Sequence, residues 1–97
     1  MASVELSAAA VEDLEALIQT LSLPPDTRAR VASSLRSLKD FPLIGPALEG
    51  RWQGFRFLLG PWRWMLLVYL FMEEEDRVVV VTVQDARSAA AATGARR

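Results

Sequence analysis

The feature that most constrains the fold is an uninterrupted apolar run over residues 64–72, bounded by Arg63 on one side and by the acidic residues 73–76 on the other. A membrane-spanning helix needs about 20 apolar residues, so this run is too short to cross a membrane. Its length and aromatic content are typical of a buried β-strand. A second run, residues 78–83, is rich in valine and follows directly. Together they predict two antiparallel strands joined at the acidic turn.

The first half of the chain has helical periodicity. Residues 4–6 form a short candidate strand, and Ser7 is a candidate N-cap for the helix that follows. The apolar stripe of this helix is formed by Val11, Leu14, Leu17, Ile18 and Leu21. Pro24 and Pro25 interrupt it, Asp26 is a candidate cap for a second helix, and Pro42 marks where that helix stops. This pattern predicts an antiparallel helical hairpin.

The order of these elements predicts one α+β domain over residues 1–97. A short N-terminal strand and an antiparallel helical hairpin pack on a mostly antiparallel sheet of about four strands. Residues 1–23 hold the first strand and helix, residues 24–42 the second helix, and residues 43–54 a loop. Residues 55–87 form the three-stranded part of the sheet, and residues 88–97 form a tail.

The turn at Gly60-Pro61 decides which side chains share a face of the sheet. Glycine at positive φ followed by proline fits the centre of a type II′ turn, which would place Leu59 opposite Trp62. Because side chains alternate along strands, one side then carries Phe55, Phe57, Leu59, Trp62, Trp64 and Leu66. This aromatic side is expected to pack on the helices. The same parity adds Val79, Val81 and Val83 to it.

The other side of the hairpin is expected to carry arginines. Arg56 and Arg63 become diagonal neighbours there, roughly 7 to 8 Å apart and within joint reach of one phosphodiester. Strand parity places Arg87 with the core unless a bulge or the end of the strand redirects it. The arginine side also carries an apolar group formed by Met65, Leu67, Tyr69 and Phe71. A bound peptide, a second copy of the chain or the C-terminal tail would cover this group.

Charge is uneven along the chain, although the formal net charge is −1. Residues 1–26 carry five acidic side chains and no basic one, whereas residues 27–71 carry seven basic against two acidic, a balance of +5. This basic middle is either a local anion-binding patch or a solvated surface with scattered arginines. The chain has no cysteine and no histidine, which excludes disulfides, thiolate metal sites and histidine as a general base.

Neither a metal nor an organic cofactor is expected. There is no glycine-rich phosphate loop, and the acidic run 73–76 is interpreted as a solvated turn. No basic segment precedes an apolar stretch at the N-terminus, so we expect a cytoplasmic location. No sustained basic amphipathic helix accompanies the apolar run, so we expect no membrane partner.

The elements and several motifs resemble the RelE/ParE superfamily of type II toxin–antitoxin toxins. The resemblance covers about residues 3–90 and rests on the order strand, helical hairpin and three antiparallel strands. The motifs that carry it are Leu35-x-x-Leu38-x-x-Phe41-Pro42, Phe55-Arg56-Phe57, Gly60-Pro61-Trp62-Arg63, Val78-Val79-Val80-Val81 and Asp85-Ala86-Arg87.

The resemblance implies a small intracellular toxin held inactive by a cognate antitoxin, in a toxin–antitoxin hetero-oligomer. RelE-like toxins enter the ribosome and cleave mRNA without a metal, and by motif position the catalytic residues would be Arg56, Arg63 and Arg87. Guanidinium groups bind phosphate and stabilise developing charge, but arginine stays protonated and is a poor general base. The antitoxin would cover the apolar residues Met65, Leu67, Tyr69 and Phe71.

Three departures from RelE-like nucleases favour other functions. Leu58 stands where many have a second basic residue, Leu66 stands where a tyrosine is customary, and the tail 88–93 contains neither tyrosine nor histidine. These differences favour the ParE-like branch, whose toxins bind DNA gyrase and hydrolyse nothing themselves. The resemblance therefore predicts a ribosome-dependent mRNA endonuclease, with a gyrase inhibitor and a non-toxic protein-binding module as the alternatives.

Overall fold

The structure is a computed structural model that describes residues 1–88 and 91–93. The helices precede the hairpin strands, as the periodicity predicts. The elements are β1 Ser3–Leu6, α1 Ala8–Leu21, α2 Thr27–Ser34, β2 Arg56–Leu59, β3 Met65–Met72 and β4 Arg77–Asp85. Short 3₁₀ turns lie at Arg36–Lys39, Gly50–Trp52 and Glu73–Glu75.

The strands of the described residues form one sheet in the order β1-β4-β3-β2. β1 runs parallel to β4, and the other neighbouring strands are antiparallel. The N-terminal strand therefore pairs with the last strand in the sequence, and β1 and β2 are the two edges. The predicted α+β class, with a short first strand and a mostly antiparallel sheet, is confirmed.

One of the two predicted helix caps is present. The Ser7 hydroxyl accepts a hydrogen bond from the backbone N–H of Ala10 at 3.1 Å, as expected of an N-cap. The Asp26 side chain makes no capping bond, so that prediction is wrong. Its carboxylate is held instead by Arg30, one helical turn further along, at 3.0 Å. α2 also ends early, at Ser34, and only a 3₁₀ turn continues the predicted second helix.

The connection between β2 and β3 is wider than predicted. Leu59 pairs with Leu66 and not with Trp62, so the register moves by four residues along β3. Gly60 has no positive φ, and its N–H donates to the Met65 carbonyl at 2.9 Å. The predicted type II′ turn is therefore wrong. The tryptophans at 62 and 64 leave the strands and pack their rings against each other in the loop.

The side of the sheet that packs on the helices is the opposite one from that predicted. A shift of four residues preserves the alternation, so the strand residues predicted to share a face do share one. The side that packs on the helices carries Leu58, Met65, Leu67, Tyr69, Val78, Val80 and Val83. The other side carries Phe57, Leu66, Val68 and Val81, packed with Leu48, Trp52, Phe55, Ala91 and Ala92. The expected helix contact is wrong for Phe57 and Leu66, which lie on the side away from the helices, whereas Trp62 and Trp64 pack against the helix-side core as expected.

A β-bulge in β4 changes which valines face the helices. Val68 pairs with Thr82 and Tyr69 pairs with Val80, which leaves Val81 as the extra residue. Two side chains of the α1 region fix this irregularity. The Ser7 hydroxyl donates to the Val81 carbonyl at 3.2 Å, and the Asp13 carboxylate accepts from the Thr82 hydroxyl at 2.5 Å. Of the three valines expected on the helix side, only the one at position 83 faces the helices.

Candidate functional site

Arg56 lies on the helix side at the start of β2, opposite Tyr69, and is bound to a loop. Its Nη1 donates to the carbonyl of Gly45 at 2.8 Å and to that of Leu43 at 3.3 Å. The Tyr69 hydroxyl accepts from the Gly45 N–H at 3.0 Å. A Cβ on Gly45 would overlap the Phe57 carbonyl, so only glycine fits this approach. We call Arg56, Tyr69 and Gly45 the loop clamp.

Burial keeps the tyrosine of the loop clamp neutral. Tyr69 is fully buried, and desolvation raises the pKa of its hydroxyl more than the Gly45 N–H and the Arg56 charge lower it. A neutral phenol without solvent access is not available as a proton acceptor. The loop clamp therefore has a structural arrangement, with its arginine engaged by carbonyl oxygens.

Arg63 lies away from the loop clamp, in the loop between β2 and β3. Its side chain is exposed, and within the described residues it forms no hydrogen bond or ion pair. Arg56 sits opposite Tyr69, four residues along β3 from Met65, which is about 13 Å at 3.3 Å per residue. The prediction that Arg56 and Arg63 are diagonal neighbours is therefore wrong, because the wider loop separates them.

Arg87 follows β4 and lies on the surface, where it is paired with Asp85. Its Nε and Nη2 both donate to the Asp85 carboxylate at 2.8 Å. These hydrogen bonds lower the pKa of the Asp85 carboxyl and raise the pKa of the Arg87 guanidinium. The end of the strand thus redirects Arg87 out of the core, one of the two routes that the sequence left open.

Arg87 also covers an aromatic ring in an arrangement that sequence reasoning missed. Its guanidinium carbon lies 4.7 Å from the centre of the Trp64 ring, and Trp64 stacks on Trp62 at 6.0 Å with 13° between the planes. On the far side, Arg30 of α2 lies 5.7 Å from the Trp62 ring. Cation–π contacts therefore join α2, the β2–β3 loop and the end of β4. The signal in the sequence was the Trp-Arg-Trp spacing of residues 62–64.

The apolar group expected to bind an antitoxin lies inside the protein. Met65, Leu67 and Tyr69 have no exposed surface, and Phe71 is partly buried against the same helix-side core. The prediction that these residues form an accessible apolar surface is wrong, because α1 and α2 cover the side of the sheet that carries them.

A cleft of about 600 Å³ opens on the other side of the sheet. Its walls are mostly apolar and include Leu48, Trp52, Phe57 and Ala92, with Glu49 and Arg51 as the charged residues. Trp52 packs edge-on against Phe55 in the same layer. Sequence reasoning interpreted residues 43–54 as a plain loop, although its tryptophan and leucine were signals of a covering layer.

The basic middle of the chain does not form one anion-binding patch. Arg28 is held by Glu15 and Arg30 by Asp26. Besides Arg56, which donates to loop carbonyls, four cations of this region make no ion pair within the described residues: Arg36, Lys39, Arg51 and Arg63. Arg36 and Lys39 line a cleft between β1 and the α2 region. Arg51 lines the cleft on the other side of the sheet, and Arg63 lies in the β2–β3 loop.

Among residues 1–88 and 91–93, no group of three or more histidine, cysteine, aspartate or glutamate side chains is arranged to hold a metal ion. No helix in this part of the chain combines the length and apolarity needed to span a membrane.

The topology and helix layer define the fold of the RelE toxins. The RelBE2 toxin–antitoxin complex of Mycobacterium tuberculosis contains a chain 24% identical to this one, with a TM-score of 0.67 over 87% of this chain and 96% of that chain. The intact RelBE toxin–antitoxin complex of E. coli contains a chain that is 18% identical to this one. Its TM-score is 0.63, and the match covers 91% of this chain and 100% of that chain. A metal-bound toxin from Helicobacter pylori is 22% identical to this chain. Its TM-score is 0.60, and the match covers 88% of this chain and 94% of that chain.

These likenesses confirm the predicted resemblance at the level of the fold. A scan against models of protein families matches none of them, and no curated protein matches the sequence. The aligned regions span nearly the full length of each structural neighbour. The chain therefore has a RelE-like fold over 87–91% of its length.

Proposed function

We propose that this chain is the toxin of a type II toxin–antitoxin pair and that it acts by binding its target rather than by cutting RNA. The fold supports the first half of this proposal, because two of the structural neighbours belong to toxin–antitoxin complexes. The observation that carries the second half is the state of the expected catalytic arginines: Arg56 lies away from Arg63 and is bound to loop carbonyls, and Arg87 is bound to Asp85. Inhibition of DNA gyrase, the activity of the ParE-like branch, is the binding function that we propose.

Cleavage of RNA by its own 2′-hydroxyl needs groups that accept a proton and neutralise a phosphate at one point. Arg56 is bound to two carbonyl oxygens, and Arg87 is bound to Asp85. The chain has no histidine, and the neutral Tyr69 is buried. Among the expected catalytic residues, Arg63 alone offers an exposed guanidinium without a protein partner in the described part of the chain.

A second candidate, ribosome-dependent mRNA endonuclease, is favoured by one observation. Arg63 and Arg87 both lie next to Trp64: the first adjoins it in the sequence, and the second covers its ring. A guanidinium on an indole ring beside an exposed arginine is an arrangement that binds phosphate and stacks on bases. For this function, a phosphate must displace Asp85 from Arg87. The catalytic assignment of Arg56, Arg63 and Arg87 belongs to this candidate.

The test is to express the full chain alone in a bacterial host and to follow growth, pulse-labelled protein synthesis and plasmid supercoiling in one culture. Loss of supercoiling before translation stops supports gyrase inhibition, and purified gyrase should then be inhibited by purified chain. An immediate stop in translation with intact supercoiling supports the endonuclease. Unaffected growth with soluble, folded protein contradicts both toxin functions and favours a binding module.

Matched variants sharpen the choice between the two candidates. Arg63→Ala removes an exposed guanidinium in the β2–β3 loop, and Arg51→Ala removes an exposed one at the opposite-side cleft. The endonuclease candidate requires Arg63→Ala to abolish cleavage of ribosome-bound mRNA while Arg51→Ala retains it. Equal cleavage by both variants contradicts the site. Co-expression of a cognate antitoxin should restore growth for every toxic variant.

A further inference from the structure

Three neighbouring apolar side chains are exposed in the connection between α2 and β2. Phe41 is 62% exposed, and Leu43 and Ile44 are each 56% exposed. Together with Pro42 they form one tight turn, residues 41–44, which we call the apolar turn. It lines neither of the two clefts described above. Large apolar side chains exposed as a contiguous group mark an interaction surface, whereas single ones are common on any protein.

The apolar turn is held in one conformation from both ends. The Ile44 N–H donates to the Phe41 carbonyl at 3.1 Å, and Pro42 at the second position has the fixed φ that suits such a turn. The Phe41 N–H donates to the Ser37 carbonyl at 2.9 Å, which joins the apolar turn to the preceding 3₁₀ turn. At the other end, the loop clamp binds the carbonyl groups on either side of Ile44. A surface that is fixed in advance loses little entropy when it is covered.

Two opposite charges directly precede the apolar turn. Lys39 and Asp40 are both exposed, and neither forms an ion pair within the described residues. The Lys39 ammonium lies at the end of a flexible four-carbon stem, so it can reach a carboxylate on another molecule. An apolar patch beside one cation and one anion is complementary to a second copy of itself. A two-fold axis can then place the cation of each copy against the carboxylate of the other.

We propose that the apolar turn is the interface of a weak homodimer, in which it packs against the apolar turn of a second copy about a two-fold axis. The exposed side chains of the two turns cover one another, and Lys39 of each copy pairs with Asp40 of the other. Three side chains that are each a little over half exposed offer less surface than the roughly 800 Å² per partner of a standard interface. The dimer therefore dissociates at micromolar or higher concentration. This interface does not depend on the proposed toxin activity.

Other occupants fit the apolar turn less well. A lipid surface with anionic head groups repels Asp40, which directly precedes the turn. The neighbouring β2 edge offers no free backbone to a strand of a partner, because the Phe57 N–H donates to the Pro46 carbonyl and Ala47 bridges Arg56. A second copy meets both conditions, since it contacts side chains alone and supplies a cation for Asp40.

Sedimentation of the full chain over a concentration series from micromolar to millimolar measures the association. Four variants are compared with the unchanged chain: Phe41→Ser/Ile44→Ser, Lys39→Asp, Asp40→Lys and Val11→Ser. The last is the matched control, because Val11 is also an exposed apolar residue, at 46%, but lies on α1. Circular dichroism establishes that each variant is folded.

The proposal requires a dimer that Phe41→Ser/Ile44→Ser weakens by about tenfold or more and that Val11→Ser leaves unchanged. Lys39→Asp and Asp40→Lys should each weaken the dimer, because each substitution places like charges opposite one another. An equimolar mixture of these two variants should associate as the unchanged chain does, because every new charge then meets an opposite one across the interface.

Several results would overturn the homodimer. These are a monomer at every concentration, a dimer that the serine variant does not weaken, and charge variants whose mixture associates no better than either alone. Binding of the monomeric, unchanged chain to vesicles of anionic phospholipid, lost in Phe41→Ser/Ile44→Ser, would assign the apolar turn to a lipid surface instead. If the serine variant does not fold, the two charge variants and their mixture decide alone.

Discussion

Replacing Arg56 by methionine separates a structural arginine from a catalytic one. Methionine keeps the apolar stem of the side chain and removes the guanidinium, which donates to the Gly45 carbonyl at 2.8 Å and to the Leu43 carbonyl at 3.3 Å. Hydrogen bonds to charged groups contribute about 1.5–3 kcal/mol. The longer bond is exposed to solvent and contributes little, so we expect Arg56→Met to lower the free energy of unfolding by about 1–2 kcal/mol.

Thermal unfolding followed by circular dichroism measures this effect directly. In a domain of this size, 1 kcal/mol corresponds to roughly 4–8 °C in Tm, so the expected decrease is about 5–15 °C. Arg63→Met is the matched control, because Arg63 is exposed and makes no hydrogen bond within the described residues. A surface substitution of this kind changes stability by less than about 0.5 kcal/mol.

The outcome also tests the site assignment. If Arg56→Met melts at the same temperature as the unchanged chain and yet loses a toxic activity, Arg56 acts on a target and the loop clamp is a misinterpretation. If Arg56→Met melts lower while its toxicity at permissive temperature persists, the catalytic role expected from the motif is contradicted. Urea unfolding with an unchanged m-value confirms that only stability has changed.

Three further substitutions probe the contacts that fix the sheet. Gly45→Ala should destabilise the protein by more than about 2 kcal/mol in urea unfolding, because the added Cβ overlaps backbone; a neutral result would refute the close approach. Asp13→Ala should lower the free energy of unfolding by about 1–3 kcal/mol in the same assay, since the partly buried Thr82 hydroxyl loses its acceptor. By NMR titration, the Asp85 carboxyl should protonate below its ordinary pKa, and Arg87→Ala should raise that midpoint. Because the pKa is lowered in the folded state, this pair stabilises at neutral pH and its contribution disappears as the pH falls through the lowered pKa.

The sequence predicts the elements of this fold better than their orientation. Apolar periodicity and Ser7 locate α1, and the valine run locates β4, because both signals are local. Which side of the sheet meets the helices is not local. Phe57 and Leu67 are both apolar, and alternation alone gives them opposite faces without saying which face lies inside. The helices cover one side of the sheet, and residues 48–55 with 91–92 cover the other. Neither side is therefore polar, and the sequence lacks the polar face that would have identified the solvent-exposed side.

The candidate site was harder to predict, for a physical reason that its arginines share. Arg56 and Arg87 were identified by motif position, but a guanidinium binds whatever acceptor lies nearest. That acceptor is a loop carbonyl for Arg56 and the Asp85 carboxylate for Arg87. The loop returns to Arg56 because Gly45 permits it, over eleven residues of sequence. The wider β2–β3 loop then separates Arg63 from Arg56, and no pattern of strand residues encodes that width.

Burial of both sheet faces determines where this protein can meet its partners. The central residues of β3 have no exposed surface, and the layer on the side away from the helices covers Leu66 and Val68. A target must therefore contact a loop or an edge, or displace part of that layer. The β2 edge is already paired, since the Phe57 N–H donates to the Pro46 carbonyl and Ala47 bridges Arg56. In the described part of the chain, Arg63 of the β2–β3 loop is an exposed cation without a hydrogen bond or ion pair, and this loop is therefore where the endonuclease candidate places its target.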